Sequence, residues 1–156
     1  MNDTALVNSL IKQFESIVSL YNEVEKTTDS YGTEIMLHPS EIHMIAAIGD
    51  HENSNLTKLS GYLNITKGAT TKMVQNLVKK GLVIKKFAPD SENERVLSLT
   101  AIGQRAYSSH QHYRKHLNQQ FADIYATVPN DVLVQIEKLG SETEQLFKSI
   151  IVERSR

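Results

Sequence analysis

NLTKLSGYLNITKGATTKMVQNLVKKGLVIKKFA, residues 55–88, contains two short helical patterns separated by a tight joint and followed by a strand-like apolar run. The joint is Leu63-Asn64-Ile65-Thr66. Asparagine tolerates the left-handed backbone that ends a helix, and a threonine at the next helix start offers an oxygen to its free N–H groups. Leu59 and Leu63 lie four apart on one face of the first helix, and the small Ser60 lets the second helix cross closely. This is the layout of a helix-turn-helix.

In the second helix Met73, Val74, Leu77 and Val78 form an apolar stripe, while Gly68, Thr71, Lys72, Gln75, Asn76 and Lys79 recur on the opposite face. Such a row suits a DNA major groove: lysine reaches guanine edges, glutamine and asparagine pair with adenine, and a threonine methyl touches thymine. Thr66, Lys67 and Thr70 in the first turns complete the candidate contacts on this helix. Charge placement points the same way. Residues 55–88 hold seven lysines and no acid, whereas the chain as a whole has 17 basic and 18 acidic residues, leaving 10 basic and 18 acidic among the other 122. A basic island in an otherwise acidic chain is a footprint for a polyanion.

The rest of the chain supplies a frame. Apolar residues from Leu6 to Val24 keep helical spacing, predicting a long amphipathic helix over about 4–28, and residues 27–32 read as a loop. Pro39 at a first helical position, Glu41 in the first turn and Gly49 as an end signal predict a compact second helix. Gly81 closes the recognition helix. Leu82-Val83-Ile84 and Val96-Leu97-Ser98-Leu99 then read as two paired strands joined through residues 89–95, a wing in which Arg95 is the basic candidate for DNA contact. Two further long helical patterns follow, one from Thr100 and one opened by Pro129, the latter with Ile136, Leu139, Thr143, Leu146 and Ile150 in a seam.

The expected fold is therefore mostly α with a small β-hairpin. A winged helix-turn-helix occupies about 37–100, within one domain over 1–156, between dimerisation helices at about 4–28 and 101–153. Apolar faces at both ends of a compact module are too many for one chain to cover, which predicts a homodimer presenting two recognition helices to a pseudo-palindromic double-stranded DNA site.

At 156 residues and 40% hydrophobic content the chain can bury a core. It has no cysteine, which removes disulfides, thiolate catalysis and thiolate metal sites. No apolar run approaches the roughly 18 residues of a membrane span, and the start lacks a basic-then-apolar leader pattern, so the expected location is cytoplasmic, with no membrane partner.

The run from Leu63 to Val83, followed by Leu97-Ser-Leu-Thr-Ala-Ile-Gly103, resembles the MarR family of bacterial transcription regulators. Ser40-Glu41-Ile42-His43 and Ala106-Tyr-Ser-Ser-His110 are most similar to its fatty-acid-synthesis repressor branch and, less closely, to its zinc-responsive branch. The resemblance implies a winged-helix dimer, usually a repressor, whose wing enters the minor groove and whose effector, a small organic acid or an acyl-carrying partner, acts between the DNA-binding lobe and the dimer helices. Family wings often carry Asp-Arg-Arg at the tip. Here Glu92, Asn93 and Glu94 stand there, with only Arg95 basic.

Two alternatives carry named residues. A zinc-responsive repressor would draw on Glu41 or His43 together with His110, since imidazole and carboxylate are suitable ligands, but Arg114 stands where the pattern wants another histidine. Set against it, His43 and His110 are packing residues and His112 and His116 are solvated, and that is the expectation, with no metal and no cofactor. The second alternative is a winged helix used as a protein-interaction module. Enzyme activity is not expected: His110-Gln-His112 lacks the following aspartate of a metallohydrolase, and no phosphate-cradling glycine loop or nucleophile elbow occurs.

Overall fold

A computed structural model describes residues 3–155 of the chain. The elements run α1 (Thr4–Val24), α2 (Pro39–Asp50), α3 (Leu56–Leu63), α4 (Lys67–Lys79), β1 (Val83–Ala88), β2 (Ser91–Leu99), α5 (Ala101–Tyr125) and α6 (Asn130–Arg154). One compact unit extends to Tyr113 and a second begins at Arg114. The first contains α1, the helix-turn-helix, the wing and the start of α5. The second contains the remainder of α5 and α6.

The core of the first unit lies under α2, α3 and α4. Ile42, Met44, Ile45 and Ile48 of α2 meet Leu59 of α3, Val74 and Leu77 of α4, Leu82, Val83 and Leu97 at the wing root, and Ala106 of α5. α2 starts as its sequence predicts, with Pro39 at the first helical position and the Glu41 carboxylate accepting from the His38 N–H at 2.9 Å. Gly49, read from sequence as a helix end, lies inside the helix. It is small because a Cβ there would press into the Tyr107 ring of α5 at 2.5 Å. The Tyr107 hydroxyl reaches Asp50 Oδ1 at 2.6 Å, and Gln111 Nε2 donates to the same oxygen at 3.0 Å, so α5 is tied to the end of α2. That Asp50 bond, with burial, holds the Tyr107 phenol above its ordinary pKa.

The wing is longer than the alternation predicts. β1 and β2 pair antiparallel from Val83↔Leu99 to Phe87↔Arg95, and after an irregularity Ala88 pairs with Ser91 across a two-residue Pro89-Asp90 connection. Glu92, Asn93 and Glu94 thus oppose nothing on β1. They form a bulge on β2, secured by the Ser91 hydroxyl, which accepts from the Asn93 and Glu94 N–H groups at 3.3 and 3.1 Å.

The root of the wing is clipped to α5. Thr100 N–H donates to the Leu82 carbonyl at 3.0 Å, its hydroxyl donates to the Gly81 carbonyl at 2.7 Å, and the same hydroxyl accepts from Gly103 N–H at 3.1 Å. Gly103 sits so close that a Cβ would overlap the Leu82 carbonyl oxygen. The Leu-Thr-Ala-Ile-Gly run is this joint. Gly81 itself has φ +74, the left-handed backbone expected of a helix-closing glycine.

The two end helices expose their apolar side chains. In the first unit Leu6, Leu10, Ile17 and Tyr21 of α1 face solvent. In the second, Ile136, Leu139, Leu146 and Ile151 of α6 do so. No helix among the described residues is long and apolar enough to cross a membrane.

Candidate nucleic-acid interface

The helix-turn-helix is held by its caps. Asn55 Oδ1 accepts from Lys58 N–H at 2.9 Å and starts α3, whose core anchor is the fully buried Leu59. Asn64 takes φ 52 and ψ 44, turning the chain, and Ile65 N–H closes the turn on the Ser60 carbonyl at 3.1 Å. Thr66 Oγ1 then accepts from Ala69 N–H at 3.2 Å and opens α4. Each of these is a local choice that the sequence announces.

On α4 the outward face is Lys67, Gly68, Lys72, Gln75 and Lys79, all exposed. Gly68 has open space where a side chain would start, so no packing within the chain requires a glycine there. Thr66 is exposed with its oxygen used as the cap. Thr71 is half-buried, and its hydroxyl donates back to the Lys67 carbonyl at 2.8 Å.

One predicted contact and one predicted core position are corrected. Thr70 is fully buried and its hydroxyl donates to the Thr66 carbonyl at 3.0 Å, so it belongs to the core beside Val74 and Leu77. Val78, predicted to share that core stripe, is exposed instead, because the stripe is rotated toward Thr70. Asn76 is on the exposed side, but one N–H of its Nδ2 donates to Glu41 Oε1 at 2.6 Å, which fixes the amide and leaves its carbonyl oxygen and second N–H facing outward.

Glu41 is the residue the sequence undersells. Its carboxylate is almost wholly buried and accepts from Lys80 Nζ at 2.7 and 2.9 Å, from Asn76 Nδ2, and from His38 N–H. Burial pushes this carboxyl up, but the Lys80 hydrogen bond, the His38 N–H and the Lys80 charge outweigh it, and the net shift is downward. Lys80 also reaches the Met36 carbonyl at 3.3 Å. The C-terminal half of the recognition helix is thereby fastened to the start of α2, and one of the seven lysines of residues 55–88 is taken up by an ion pair within the chain. The capping-box spacing from His38 to Glu41 was the available signal for a bonded carboxylate. Nothing local announces its partners on α4.

In the wing, Arg95 lies on β2 and not at the tip, with its guanidinium carbon 3.6 Å from the centre of the Phe87 ring. Lys85 and Lys86 are exposed on β1. The histidines take separate places. His110 is buried, with ring centres of Tyr31 and His43 at 5.9 and 5.8 Å, while His112 is exposed and bonded to the Ser108 carbonyl at 2.9 Å. Glu41, a ligand the zinc alternative would use, already has both oxygens occupied. Among the described residues no three His, Asp or Glu side chains are grouped as a metal would need.

A recognition helix with an exposed Lys-Gln face, a sharply turned helix before it and a two-stranded wing after it together define a winged helix-turn-helix DNA-binding protein. The profile of the MarR family matches residues 37–96, the span from the start of α2 to the returning wing strand. Residues 37–96 thus carry a winged helix-turn-helix of the MarR type, and the chain is a DNA-binding transcription regulator. It is 26% identical over 130 residues to the uncharacterized HTH-type transcriptional regulator YhjH of Bacillus subtilis (strain 168), covering 83% of this chain and 71% of that protein. Among solved structures, the DNA complex of wild-type ZitR from Lactococcus lactis, a zinc-responsive MarR family member, aligns with a TM-score of 0.77 at 18% identity over 93% of this chain and 99% of that one. FabT of Streptococcus pneumoniae in complex with DNA aligns with a TM-score of 0.67 at 19% identity, over 95% and 99%. These likenesses are of fold.

Proposed function

We propose that the chain acts as a homodimeric repressor that reads a pseudo-palindromic operator with two copies of α4 and is released by a small organic acid or an acyl-carrying partner. The carrying observation is the α4 face. Lys67, Lys72, Gln75 and Lys79 are exposed in one row on a helix whose position is fixed by caps and by Glu41. Gln75 and the free carbonyl of Asn76 are the base readers, Lys72 and Lys79 neutralise phosphate or reach guanine, and Lys67 sits at the helix start beside the backbone.

Dimerisation by the end helices is supported by Leu10 at 57% and Leu139 at 62% exposure, apolar faces that a monomer rarely leaves in water. The effector class follows the likeness to the fatty-acid-synthesis repressor branch. Zinc control has less support here because Glu41 is consumed by Lys80, Asn76 and His38.

Selection of bound duplexes from random DNA by the purified full chain tests this reading. The expected result is an inverted repeat whose half-sites lie about one helical turn apart, bound with an affinity that falls steeply with salt. Enrichment of no sequence, or of a single half-site by a monomer in sedimentation, would remove it. Adding zinc or a chelator to the same binding reaction should leave the affinity unchanged.

A further inference from the structure

We propose that Asn55 and Glu94 form a clamp that sets the pitch of the wing against the helix-turn-helix, making Glu94 a positioning residue for DNA binding. Asn55 uses both ends of its amide. Its oxygen accepts from Lys58 N–H at 2.9 Å and starts α3, while its nitrogen donates to Glu94 Oε1 at 2.7 Å. The bulge makes this reach possible. With Glu92 to Glu94 unpaired on β2 and turned by the Ser91 hydroxyl, Glu94 leaves the ladder and meets the helix cap.

Geometry gives the clamp its effect. One residue before Asn55, the buried Ser54 accepts from Leu97 N–H at 3.0 Å, so the wing is already attached to the start of α3 at its root. This bond and the Thr100 clip hold only the root, so the strands beyond it form an arm that can bend there. Glu94 lies three residues further toward the tip, roughly 10 Å along an extended strand. A second attachment at that distance stops rotation about the first and fixes where neighbouring Arg95, stacked on Phe87, is carried. Glu94, although exposed, therefore has one carboxylate oxygen committed to Asn55.

The test uses a swap that keeps net charge. Glu94→Gln retains an acceptor for Asn55 and removes a negative charge. Asn55→Asp keeps the α3 cap, since aspartate caps as well as asparagine, but removes the donor and sets two carboxylates against each other. Combining Asn55→Asp with Glu94→Gln restores the bond in the reverse sense at the wild-type charge.

The chain has no cysteine, so Thr57→Cys and Asp90→Cys can be added to each full-length variant for spin labels on α3 and the wing tip, with labelled protein diluted into unlabelled. The expected distance distribution is narrow in wild type, broad in Asn55→Asp and narrow again in the double variant. On the duplex that wild type selects, Asn55→Asp should bind about tenfold more weakly and the double variant within about twofold of wild type. Glu94→Gln should bind at least as tightly as wild type, and Glu94→Ala more weakly than Glu94→Gln.

The proposal rests on the DNA-binding reading, but the distance measurement does not involve DNA, so the two can fail separately. Equal widths in all variants would overturn the clamp. So would equal gains in affinity from Glu94→Ala and Glu94→Gln, the behaviour of an acid that merely repels DNA.

Discussion

Replacing Glu41 with alanine strands three donors at once. The carboxylate holds Lys80, Asn76 and the His38 N–H through four hydrogen bonds, and its side chain is 5% exposed. Breaking a fully buried ion pair costs about 3–5 kcal/mol, but the Lys80 side chain is 27% exposed and recovers part of its hydration, which lowers the expected loss to about 2–3 kcal/mol. Glu41→Gln keeps the shape and an acceptor for His38, and should cost about 1 kcal/mol. Urea unfolding at one fixed protein concentration reads both values. A cycle with Lys80→Met should give a coupling of about 1–2 kcal/mol between the two positions.

The pH dependence has a definite sign. The folded Glu41 carboxyl titrates below its unfolded value of about 4.3, so its contribution is complete above that value and is lost as pH falls through the lower, folded one. Wild type should lose stability there that Glu41→Gln does not. An alanine variant within about 0.5 kcal/mol of wild type, or a coupling near zero, would refute the assignment of the network as the fastening of α4.

Three further outcomes are expected. Gly103→Ala should cost about 3 kcal/mol or more in thermal or urea unfolding, because the new Cβ meets the Leu82 carbonyl, which is itself bonded to Thr100 and has nowhere to retreat. Thr70→Val should lower stability by about 1 kcal/mol and leave base preference untouched, whereas Gln75→Ala should relax preference at one operator position by about 1–3 kcal/mol in competition binding. Asn64→Ala should destabilise by about 1–2 kcal/mol while Asn64→Gly stays near neutral, since only the left-handed turn separates them.

Local signals were legible in the sequence and distant ones were not. Asn64, Thr66, Pro39 and Gly81 act within one turn of themselves, and each is found where its chemistry predicts. The recognition helix was legible as a helix, but the edge of its buried stripe was not. Spacing alone cannot tell Thr70 from Val78, and the choice is made by the packing of Val74 and Leu77 into the core. Glu41 read as a first-turn acid near a helix dipole, because its partners Asn76 and Lys80 lie 35 and 39 residues away. The bulge was hidden for the same reason. Glu92, Asn93 and Glu94 resemble an ordinary polar turn, and only the register with Phe87 and Ala88 and the bond to Asn55 reveals that Glu94 points back at α3.

The clip at the wing root has a consequence for how this protein can vary. Thr100 fastens both Gly81 and Leu82, so the two ends of the hairpin are closed independently of what lies between them. Lengthening the Pro89-Asp90 connection adds only a logarithmic entropic term, about 0.6 kcal/mol per doubling of a flexible loop, and sends no strain into the lobe. The Pro89-Asp90 connection is thus an interchangeable part. Drift or selection can alter the length and charge of that connection while the recognition helix, the Asn55–Glu94 bond and the core keep their places.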